Sequence, residues 1–321
     1  MITLANLREA QARLHGVAVH TPLVRCFNAG STSAEEFYIK AESLQPIGSF
    51  KLRGAYNKIA SLTAEERARG VITYSSGNHA QGVAYAARAL GAHAVIVMPG
   101  SAPQIKIDAT SALGAEIVFV GNGSEERRDK ALELASAHGY VVIPPYDDLQ
   151  IIAGQGTTGL EIIEDMPDVE LVLVPVGGGG LSGGVAAAIK LSGSRAKVVG
   201  VEPALANDAQ QSLRQGHVVR IAAESAASTI ADGLRTQSIG AHNFEHLTHY
   251  LDGVVTVGQD EIRRAMRQIM LGAHLMAEPS GAVPMAAWLF HRPELPASRK
   301  TVAILSGGNA DPKQVAEVLE G

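Results

Sequence analysis

One lysine of this 321-residue sequence stands where its amine could act as a nucleophile. Lys51 lies in the segment Ser49-Phe50-Lys51-Leu52-Arg53-Gly54-Ala55, with Gly48 before it and few other charges nearby. A lysine amine is nucleophilic only when deprotonated, and partial burial lowers its pKa toward that state. Lys51 is therefore a candidate nucleophile, although a lysine before a helix can also be a solvated surface residue.

A second segment is suited to holding a phosphate. The run Gly177-Gly178-Gly179-Gly180-Leu181-Ser182-Gly183-Gly184 follows the apolar LVLVPV and precedes the Ala-rich VAAAIKL. Glycines at a helix N-terminus let backbone N–H groups turn toward an anion, which the helix dipole also favours. This position between a strand and a helix favours an anion cradle over a flexible linker. Gly178, Gly180 and Gly183 also match the G-x-G-x-x-G spacing, and Glu202 follows at roughly the distance of the ribose-binding acid, so a nicotinamide-dependent oxidoreductase is an alternative.

Two further segments place polar side chains directly after strand-like runs. Ser75-Ser76-Gly77-Asn78-His79-Ala80-Gln81-Gly82 opens a helical pattern, where the hydroxyls and amide can cap the helix or, with the backbone N–H groups, bind a carboxylate. His79 alone is as readily a packing or capping residue. Ser306-Gly307-Gly308-Asn309 follows KTVAIL, and its hydroxyl could bond the ring nitrogen of a planar cofactor or merely belong to a turn.

The elements that position these segments are predicted to be buried parallel strands alternating with helices. Short Val- and Ile-rich runs bounded by turn residues alternate with Ala-rich stretches, which indicates an α/β protein with two sheets. Ligands of such sheets gather beyond the carboxyl ends of the strands. We expect residues 69–148 to form a small domain, and 1–68 with 149–321 a large one. The runs are GVITYSS, AHAVIVMP, AEIVFVG, YVVIPP, VELVLVPVGG, AKVVGVE and KTVAILSGG.

The amino-acid composition excludes several classes of function. The chain is 46% hydrophobic and 18% charged with a net charge of -5, so it has no basic footprint for nucleic acid. No stretch approaches ~18 apolar residues free of charge, so we expect no membrane span. Cys26 is the only cysteine, which excludes an intramolecular disulfide and favours a reducing compartment, the cytoplasm. A small-molecule enzyme is the favoured class.

Taken together and in this order, S-F-K-L-R-G-A, S-S-G-N-H-A-Q-G, G-G-G-G-L-S-G-G and S-G-G-N resemble the serine/threonine dehydratase and serine racemase family. That family belongs to the fold-type II pyridoxal-phosphate-dependent enzymes, whose fold is like that of tryptophan synthase β. The resemblance covers nearly the whole chain. It implies two open, twisted, mostly parallel sheets in two domains, with pyridoxal 5'-phosphate between them, and a homodimer.

The resemblance also assigns roles. It implies that Lys51 carries the cofactor as a Schiff base and acts as the base, and that Ser76 is a second proton donor. The remaining cofactor contacts would be Phe50 on the ring face, Asn78 at the 3'-oxygen, Ser306 at the ring nitrogen, and Gly177, Gly178, Gly179 and Gly180 at the phosphate. The substrate contacts would be Ser75, Ser76, Asn78, His79 and Arg127, although a charged helical stretch such as SEERRDK is typical of a solvated face.

A divalent cation site is implied by the segment Glu202-Pro203-Ala204-Leu205-Ala206-Asn207-Asp208. By the resemblance, the carboxylates of Glu202 and Asp208 and the carbonyl of Ala206 would bind Mg²⁺, Mn²⁺ or Ca²⁺, with water completing an octahedron of oxygen ligands. The same segment is also consistent with a strand end followed by a helix cap.

The expected activity is that of a pyridoxal-phosphate-dependent ammonia-lyase. The substrate would be a small hydroxy-amino acid, namely L-threonine, L-serine or a relative such as 3-hydroxyaspartate, and the products a 2-oxo acid and ammonia. A serine hydroxyl at the ring nitrogen weakens the cofactor as an electron sink, which favours elimination. An amino acid racemase with side dehydratase activity is the alternative within the family.

Overall fold

The computed structural model describes residues 1–27, 29, 35–102, 104–121 and 123–320, and its strands form two sheets. In chain order the described strands are β1 (Leu23–Arg25), β2 (Glu36–Ala41), β3 (Val71–Thr73), β4 (Ala94–Pro99), β5 (Glu116–Val120), β6 (Val141–Val142), β7 (Leu171–Pro175), β8 (Lys197–Pro203), β9 (Gly253–Val257) and β10 (Lys300–Leu305). One sheet has the order β1-β2-β10-β7-β8-β9 and the other β5-β4-β3-β6. All pairs are parallel except β1 with β2, which confirms the predicted α/β class with two mostly parallel sheets.

Helices cover both faces of the larger sheet, which explains the continuous apolar runs. In β7, Leu171 and Leu173 pack into the core on one face, whereas Val172 and Val174 pack into the core on the other. A strand buried on both sides has no polar face, so its sequence does not alternate. The described helices are α1 (Leu4–Leu14), α2 (Lys51–Ala60), α3 (Ala64–Arg69), α4 (Asn78–Ala89), α5 (Gln104–Ser111), α6 (Ser124–His138), α7 (Leu149–Asp165), α8 (Gly180–Leu191), α9 (Asp208–Gln215), α10 (Ala223–Ala227), α11 (Ala241–Tyr250), α12 (Gln259–Gly272), α13 (Pro279–Phe290) and α14 (Pro312–Glu320).

Helix α2 lies at the junction of the two sheets. Its residues Ala55 and Ile59 belong to the apolar core of the four-stranded sheet. On its other side, a Cβ at Gly54 would lie 2.3 Å from the side-chain amide of Gln155 and 3.0 Å from the carbonyl oxygen of Ile151, both in α7, so glycine allows this close approach. Because α2 begins at Lys51, this packing fixes that lysine between the two sheets. No helix of the described chain is long and apolar enough to cross a membrane.

Candidate active site

A cleft of about 930 Å³ opens between the two sheets, within the volume range of small-molecule sites. The loops that follow β3, β6, β7 and β10 line it, as expected for the carboxyl ends of parallel strands. All of the predicted cofactor and substrate residues come together here. Those lining the cleft are Phe50, Lys51, Ser75, Ser76, Asn78, His79, Arg127, Gly177, Gly178, Gly179, Gly180 and Ser306.

Lys51 is the first residue of α2, and its amine reaches across the cleft. Its Nζ donates a hydrogen bond of 2.7 Å to the carbonyl oxygen of Pro145, in the loop after β6. Burial lowers the pKa of Lys51 to about 8, against the opposing charge of Glu278. About a tenth of the amine is therefore neutral at pH 7, against well under a thousandth for a lysine of ordinary pKa, and a nucleophile or base must be neutral. The ring of Phe50 lies beside it, with its centroid 5.2 Å from Nζ.

The four-glycine run forms the wall of the cleft where α8 begins. Gly179 has a φ of +95°, a left-handed conformation that favours glycine. At Gly178 a Cβ would lie 2.2 Å from the ring of Tyr146, so a side chain there is excluded. The loop is held from behind by Asn243, whose Nδ2 donates a 2.7 Å hydrogen bond to the carbonyl oxygen of Gly178. The cleft side offers backbone N–H groups at a helix N-terminus, the geometry of a phosphate cradle.

Asn78, the first residue of α4, has its amide orientation fixed by two partners. Its Nδ2 donates to the carboxylate of Glu278 at 2.8 and 3.1 Å. Its Oδ1 accepts a 2.8 Å hydrogen bond from Nδ2 of Asn309. A carboxylate accepts only and an amide nitrogen donates only, so the amide cannot flip. The second N–H of Asn78 remains for an acceptor in the cleft.

Glu278 is a functional candidate that the sequence analysis missed. It is only 4% exposed, and it immediately precedes α13. Burial and then the charge of Asp232 raise its pKa to about 7, while the hydrogen bond from Asn78 opposes the rise. The sequence signal is an acidic residue directly before Pro279, at the start of an otherwise apolar helix.

Ser306 and the lysine segment are held side by side. Ser306 is buried at the end of β10, and its carbonyl oxygen accepts a 3.0 Å hydrogen bond from the backbone N–H of Phe50. An isolated bridge joins Ser49 to Gly307. The two motifs are therefore in register across the cleft floor, although they are separated by some 250 residues of sequence.

His79 is buried below the β3 loop. Burial and then the charge of Lys51 lower its pKa to about 3, so the ring is neutral at physiological pH. Its Nε2 lies 3.1 Å from the carbonyl oxygen of Ile143, which makes Nε2 the protonated nitrogen, and Nδ1 has no partner. His79 therefore brings neither a positive charge nor a free N–H to an anion at the start of α4, and its Nδ1 can only accept a hydrogen bond from a donor.

The composition of the cleft fits pyridoxal phosphate. A reactive lysine, a phosphate cradle, a fixed amide donor and a buried serine at a strand end correspond to the aldehyde, phosphate, 3'-oxygen and ring nitrogen of that molecule. Residues 16–307 match the family model described as "Pyridoxal-phosphate dependent enzyme". The chain belongs to this family. It is thus a pyridoxal-phosphate-dependent enzyme of fold type II, as the sequence predicted.

Two relatives align with almost the whole length of this pyridoxal-phosphate enzyme. It is 44% identical over 99% of its length to L-threonine ammonia-lyase from Thermotoga maritima, of which the match covers 78%. It is 37% identical over 99% of its length to L-threo-3-hydroxyaspartate ammonia-lyase from Saccharomyces cerevisiae, of which the match covers 97%. Among solved structures, serine racemase from Dictyostelium discoideum superposes with a TM-score of 0.90 and 36% identity, covering 97% of this chain and 99% of that chain.

Family membership decides against the nicotinamide alternative, and the glycine geometry agrees. Gly183 does not line the cleft, and a Cβ there would meet His246 at 3.1 Å. The carboxylate of Glu202 is fully buried and accepts the backbone N–H groups of Ala209 and Gln210 at 3.0 and 2.8 Å. It therefore occupies the N-terminus of α9 and is not placed for a ribose.

The predicted cation ligands Glu202, Ala206 and Asp208 lie outside the lining of the cleft. Neither carboxylate oxygen of Asp208 has a hydrogen bond of good geometry, although nearby backbone N–H groups favour its charged form. Burial raises the pKa of Asp208 to about 7, and burial plus Asp208 raise that of Glu202. The described residues contain no group of three or more His, Cys, Asp or Glu side chains that could hold a metal ion. Any cation here would depend on two carboxylates and a carbonyl.

Proposed function

We propose that this enzyme converts a small 3-hydroxy amino acid, such as L-threonine, L-serine or 3-hydroxyaspartate, into a 2-oxo acid and ammonia. The observation that carries the proposal is the Lys51 amine, with its pKa lowered to about 8, in a cleft that also contains the glycine cradle. The ammonia-lyases of Thermotoga maritima and Saccharomyces cerevisiae to which it is similar support the same reaction class.

The cofactor would be held by five parts of the chain. Lys51 would carry it through the side-chain amine, and the backbone of Gly177–Gly180 would bind its phosphate. Phe50 would pack on one ring face, the free N–H of Asn78 would bond the 3'-oxygen, and the hydroxyl of Ser306 would meet the ring nitrogen. When bound, pyridoxal phosphate supplies the electron sink that makes the Cα proton of an amino acid acidic.

Groups of the protein itself bind the substrate and transfer its protons. The loop Ser75–Asn78, with the first N–H groups of α4, binds the α-carboxylate of the substrate and orients it. Lys51 Nζ accepts the Cα proton, and its low pKa keeps enough of the amine neutral for this task. The carbonyl of Pro145 holds Nζ at the cleft wall. Ser306 offers a neutral hydroxyl and not a carboxylate, which favours loss of the β-hydroxyl over reprotonation.

The test is release of 2-oxo acid and ammonia by the holoenzyme from a panel of L- and D-hydroxy amino acids, with L-alanine as the control that has no leaving group. Equal amounts of the two products from L-substrates, and none from L-alanine, are expected. Absence of 2-oxo acid from every substrate would refute the proposal.

Racemisation is the second candidate, because the Dictyostelium discoideum serine racemase has so similar a structure. It requires a proton donor on the face of Cα opposite Lys51, and Ser76, which lines the cleft, is our proposal for that donor. The measurement that separates the two is the ratio of D-serine to pyruvate formed from L-serine. We expect a ratio below one, and we expect Ser76→Ala to reduce any action on D-serine more than dehydration of L-serine.

A divalent cation at Glu202, Asp208 and the Ala206 carbonyl is a further proposal. Two buried carboxylates whose ionised forms are disfavoured, together with two carboxylate oxygens that lack hydrogen bonds, suit a hard cation such as Mg²⁺, Mn²⁺ or Ca²⁺. Such an ion would bind outside the cleft, and it would stabilise or activate the enzyme through the α9 segment.

We also propose the domain division 1–68 with 149–321 and 69–148, a homodimer, and a cytoplasmic location. The separate cores of the two sheets support the division. The exposed side chains of Phe27 (75%), Leu271 (54%) and Met276 (52%) support an interface. The single, buried Cys26 is consistent with a reducing compartment. Sedimentation equilibrium would test the homodimer.

A further inference from the structure

The carbonyl oxygen of Gly178, in the four-glycine run, is held by two donors from the start of α11. The side-chain Nδ2 of Asn243 donates to it at 2.7 Å, and the backbone N–H of Gly240 donates at 3.2 Å. Asn243 lies outside the lining of the cleft, whereas Gly179 belongs to it. In a trans peptide the C=O and the N–H point in opposite directions. A Gly178 carbonyl held toward Asn243 therefore directs the N–H of Gly179 toward the cleft.

The peptide between Gly178 and Gly179 has little orientational preference of its own. Glycine has no Cβ and adopts left- and right-handed conformations with similar ease. Gly179 has a φ of +95°. A reversed peptide would turn the negative end of the Gly178 carbonyl dipole toward an anion in the cleft. A contact from outside the run must therefore fix which way this peptide faces.

Asn243 contributes little to the fold except through this hydrogen bond. Its side chain is fully buried, and its Oδ1 has no hydrogen-bond partner among the described residues. A buried acceptor without a partner lowers the stability of a protein. The amide of Asn243 thus has a cost for folding, and the Gly178 hydrogen bond is what it provides.

Helix α11 is itself anchored, so Asn243 is a fixed point for the glycine run. Asp147 caps the helix by accepting the backbone N–H groups of Ala241 and His242, both at 3.0 Å. His246 Nε2 accepts the backbone N–H of Ile2 at 2.9 Å, so its Nδ1 carries the proton and donates to the carbonyl of His242 at 2.6 Å.

We infer that Asn243 is a positioning residue for the cofactor phosphate, because it holds the Gly178–Gly179 peptide in the orientation that presents an N–H to that phosphate. This inference rests on the proposed phosphate-binding role of Gly177–Gly180 and deepens it. Hydrogen bonds to an anion are about twice as strong as those between neutral groups. Loss of Asn243 should therefore weaken binding of the phosphate and leave the attachment at Lys51 unaffected.

The test compares the affinity of the apoenzyme for pyridoxal 5'-phosphate and for pyridoxal, which lacks the phosphate, by absorbance titration. Asn243→Leu replaces the amide with an apolar side chain of similar shape. It should lower the affinity for pyridoxal phosphate by about 10- to 100-fold and that for pyridoxal only a few-fold. Asn243→Ala, which also removes volume, should show the same selective loss.

Asn57 provides the matched control. It is an equally buried asparagine outside the lining of the cleft, and its Nδ2 donates a 2.7 Å hydrogen bond to the carbonyl oxygen of Gln150. Asn57→Leu should lower the free energy of unfolding of the apoenzyme in urea and leave the ratio of the two affinities unchanged. Asn243→Leu should change that ratio and shift the ³¹P resonance of the holoenzyme, which Asn57→Leu should not.

Three outcomes would overturn the inference. If the wild type binds pyridoxal as tightly as pyridoxal phosphate, the glycine run does not bind the phosphate, and the role of Asn243 fails with it. If the wild type prefers pyridoxal phosphate and Asn243→Leu keeps the whole preference, the inference alone fails. An equal loss of both affinities in Asn243→Leu would show that Asn243 supports the site only in general. None of these measurements depends on turnover, so failure of the proposed ammonia-lyase reaction is detected separately, by absence of 2-oxo acid.

Discussion

Helix α2 lies between two groups of buried charged side chains, and the two groups differ in whether each charge has a partner of opposite charge. Behind the helix, Arg53 is 1% exposed and forms two-pronged hydrogen bonds to Glu42 and Glu161, with distances of 2.6 to 2.8 Å. Lys40, also fully buried, pairs with Glu161 at 2.7 Å. The two cations and two carboxylates of this Arg53 cluster balance, and each charge has an opposite charge in contact.

In front of the helix, the cleft contains two ion pairs, Lys106 with Asp232 and Arg220 with Glu125, but three of its charged groups have no close partner of opposite charge. Lys51 is bonded to a carbonyl, Glu278 to an amide, and Arg127 to no described residue. The pKa shifts differ in direction accordingly. Pairing raises the pKa of Arg53 and lowers that of Glu42, whereas burial lowers the pKa of Lys51 and raises that of Glu278. Charged side chains that are paired stay ionised and stabilise the fold. Unpaired ionisable groups whose pKa lies near 7 can transfer protons, and unpaired charged groups can bind ligands.

The largest effect is expected from Lys51→Ala. Loss of a general base costs about 10²- to 10⁴-fold in rate, and here the covalent attachment of the cofactor is lost as well, so activity should be undetectable. Borohydride reduction of the wild type should fix a pyridoxyl group on Lys51, identified by peptide mass spectrometry. Lys58→Ala, on the same helix, is the matched control and should still be labelled at Lys51. Labelling of another lysine in the wild type would contradict the assignment.

A substitution in the Arg53 cluster should lower the free energy of unfolding, whereas Lys51→Ala should lower the catalytic activity. Arg53→Met leaves Glu42 and Glu161 buried without their main partner, and removal of one member of a buried ion pair costs about 3–5 kcal/mol. Urea unfolding of the apoenzyme measures this loss. The exposed Arg128→Met should change the free energy of unfolding by less than about 0.5 kcal/mol. Equal stability of the two variants would mean that the buried cluster contributes little to holding α2.

The sequence predicted the fold best where strands are buried on both faces. The seven apolar runs correspond to β3–β8 and β10. β3, β4, β7, β8 and β10 are almost wholly buried, and burial on two sides leaves an uninterrupted Val and Ile signal. β5 and β6 are partly exposed edge strands, and only their Val and Ile content identified them. β1, β2 and β9 were not among them. β1 has only three residues and β2 contains Glu36 and Lys40, so neither forms an apolar run. β9 is a partly exposed edge strand of five uncharged residues that the Val pattern could have found.

The site was predictable where a strand end carries a motif, and not where contacts are long-range. Lys51, the glycine cradle, Asn78 and Ser306 all adjoin a recognisable segment. Glu278 lies 200 residues from Asn78 in sequence, and no local pattern announces their hydrogen bond. Pro145 and Tyr146 also line the cleft, and the rule that ligands gather at strand ends could have found them in the loop after β6.

Cation binding at the proposed site should raise the free energy of unfolding by less than Arg53→Met lowers it. A ligand that binds only the folded state at 100 times its dissociation constant stabilises by about 2.7 kcal/mol. Chelator should therefore lower the Tm of the wild type, and Mg²⁺, Mn²⁺ or Ca²⁺ should restore it. Asp208→Asn should be insensitive to both additions. If chelator leaves the wild-type Tm and activity unchanged, the segment from Glu202 to Asp208 is only a strand end and a cap.

The smallest effect, and the sharpest probe of unpaired charge in the cleft, is expected from Glu278→Gln. Glutamine can still accept the hydrogen bond from Asn78, so mainly the charge is removed. The folded-state pKa of Glu278, about 7, lies above the ordinary glutamate value, so between these two pH values the folded state holds a proton that the unfolded chain has lost. This group therefore makes the wild type less stable as pH rises from about 4.5 to 7. Glu278→Gln lacks that penalty, so its stability relative to wild type should improve by about 2.5 kcal/mol between pH 5 and pH 8. Urea unfolding at both pH values measures the difference.

Glu278→Gln should also lower the pKa of the Lys51 amine, because the carboxylate that favours its charged form is gone. The pH dependence of the rate at which apoenzyme reacts with pyridoxal phosphate reports that pKa. A pH-independent stability difference together with an unchanged Lys51 pKa would show that folding does not raise the pKa of Glu278, and that Glu278 belongs with the Asn78 hydrogen bonds as a purely structural group.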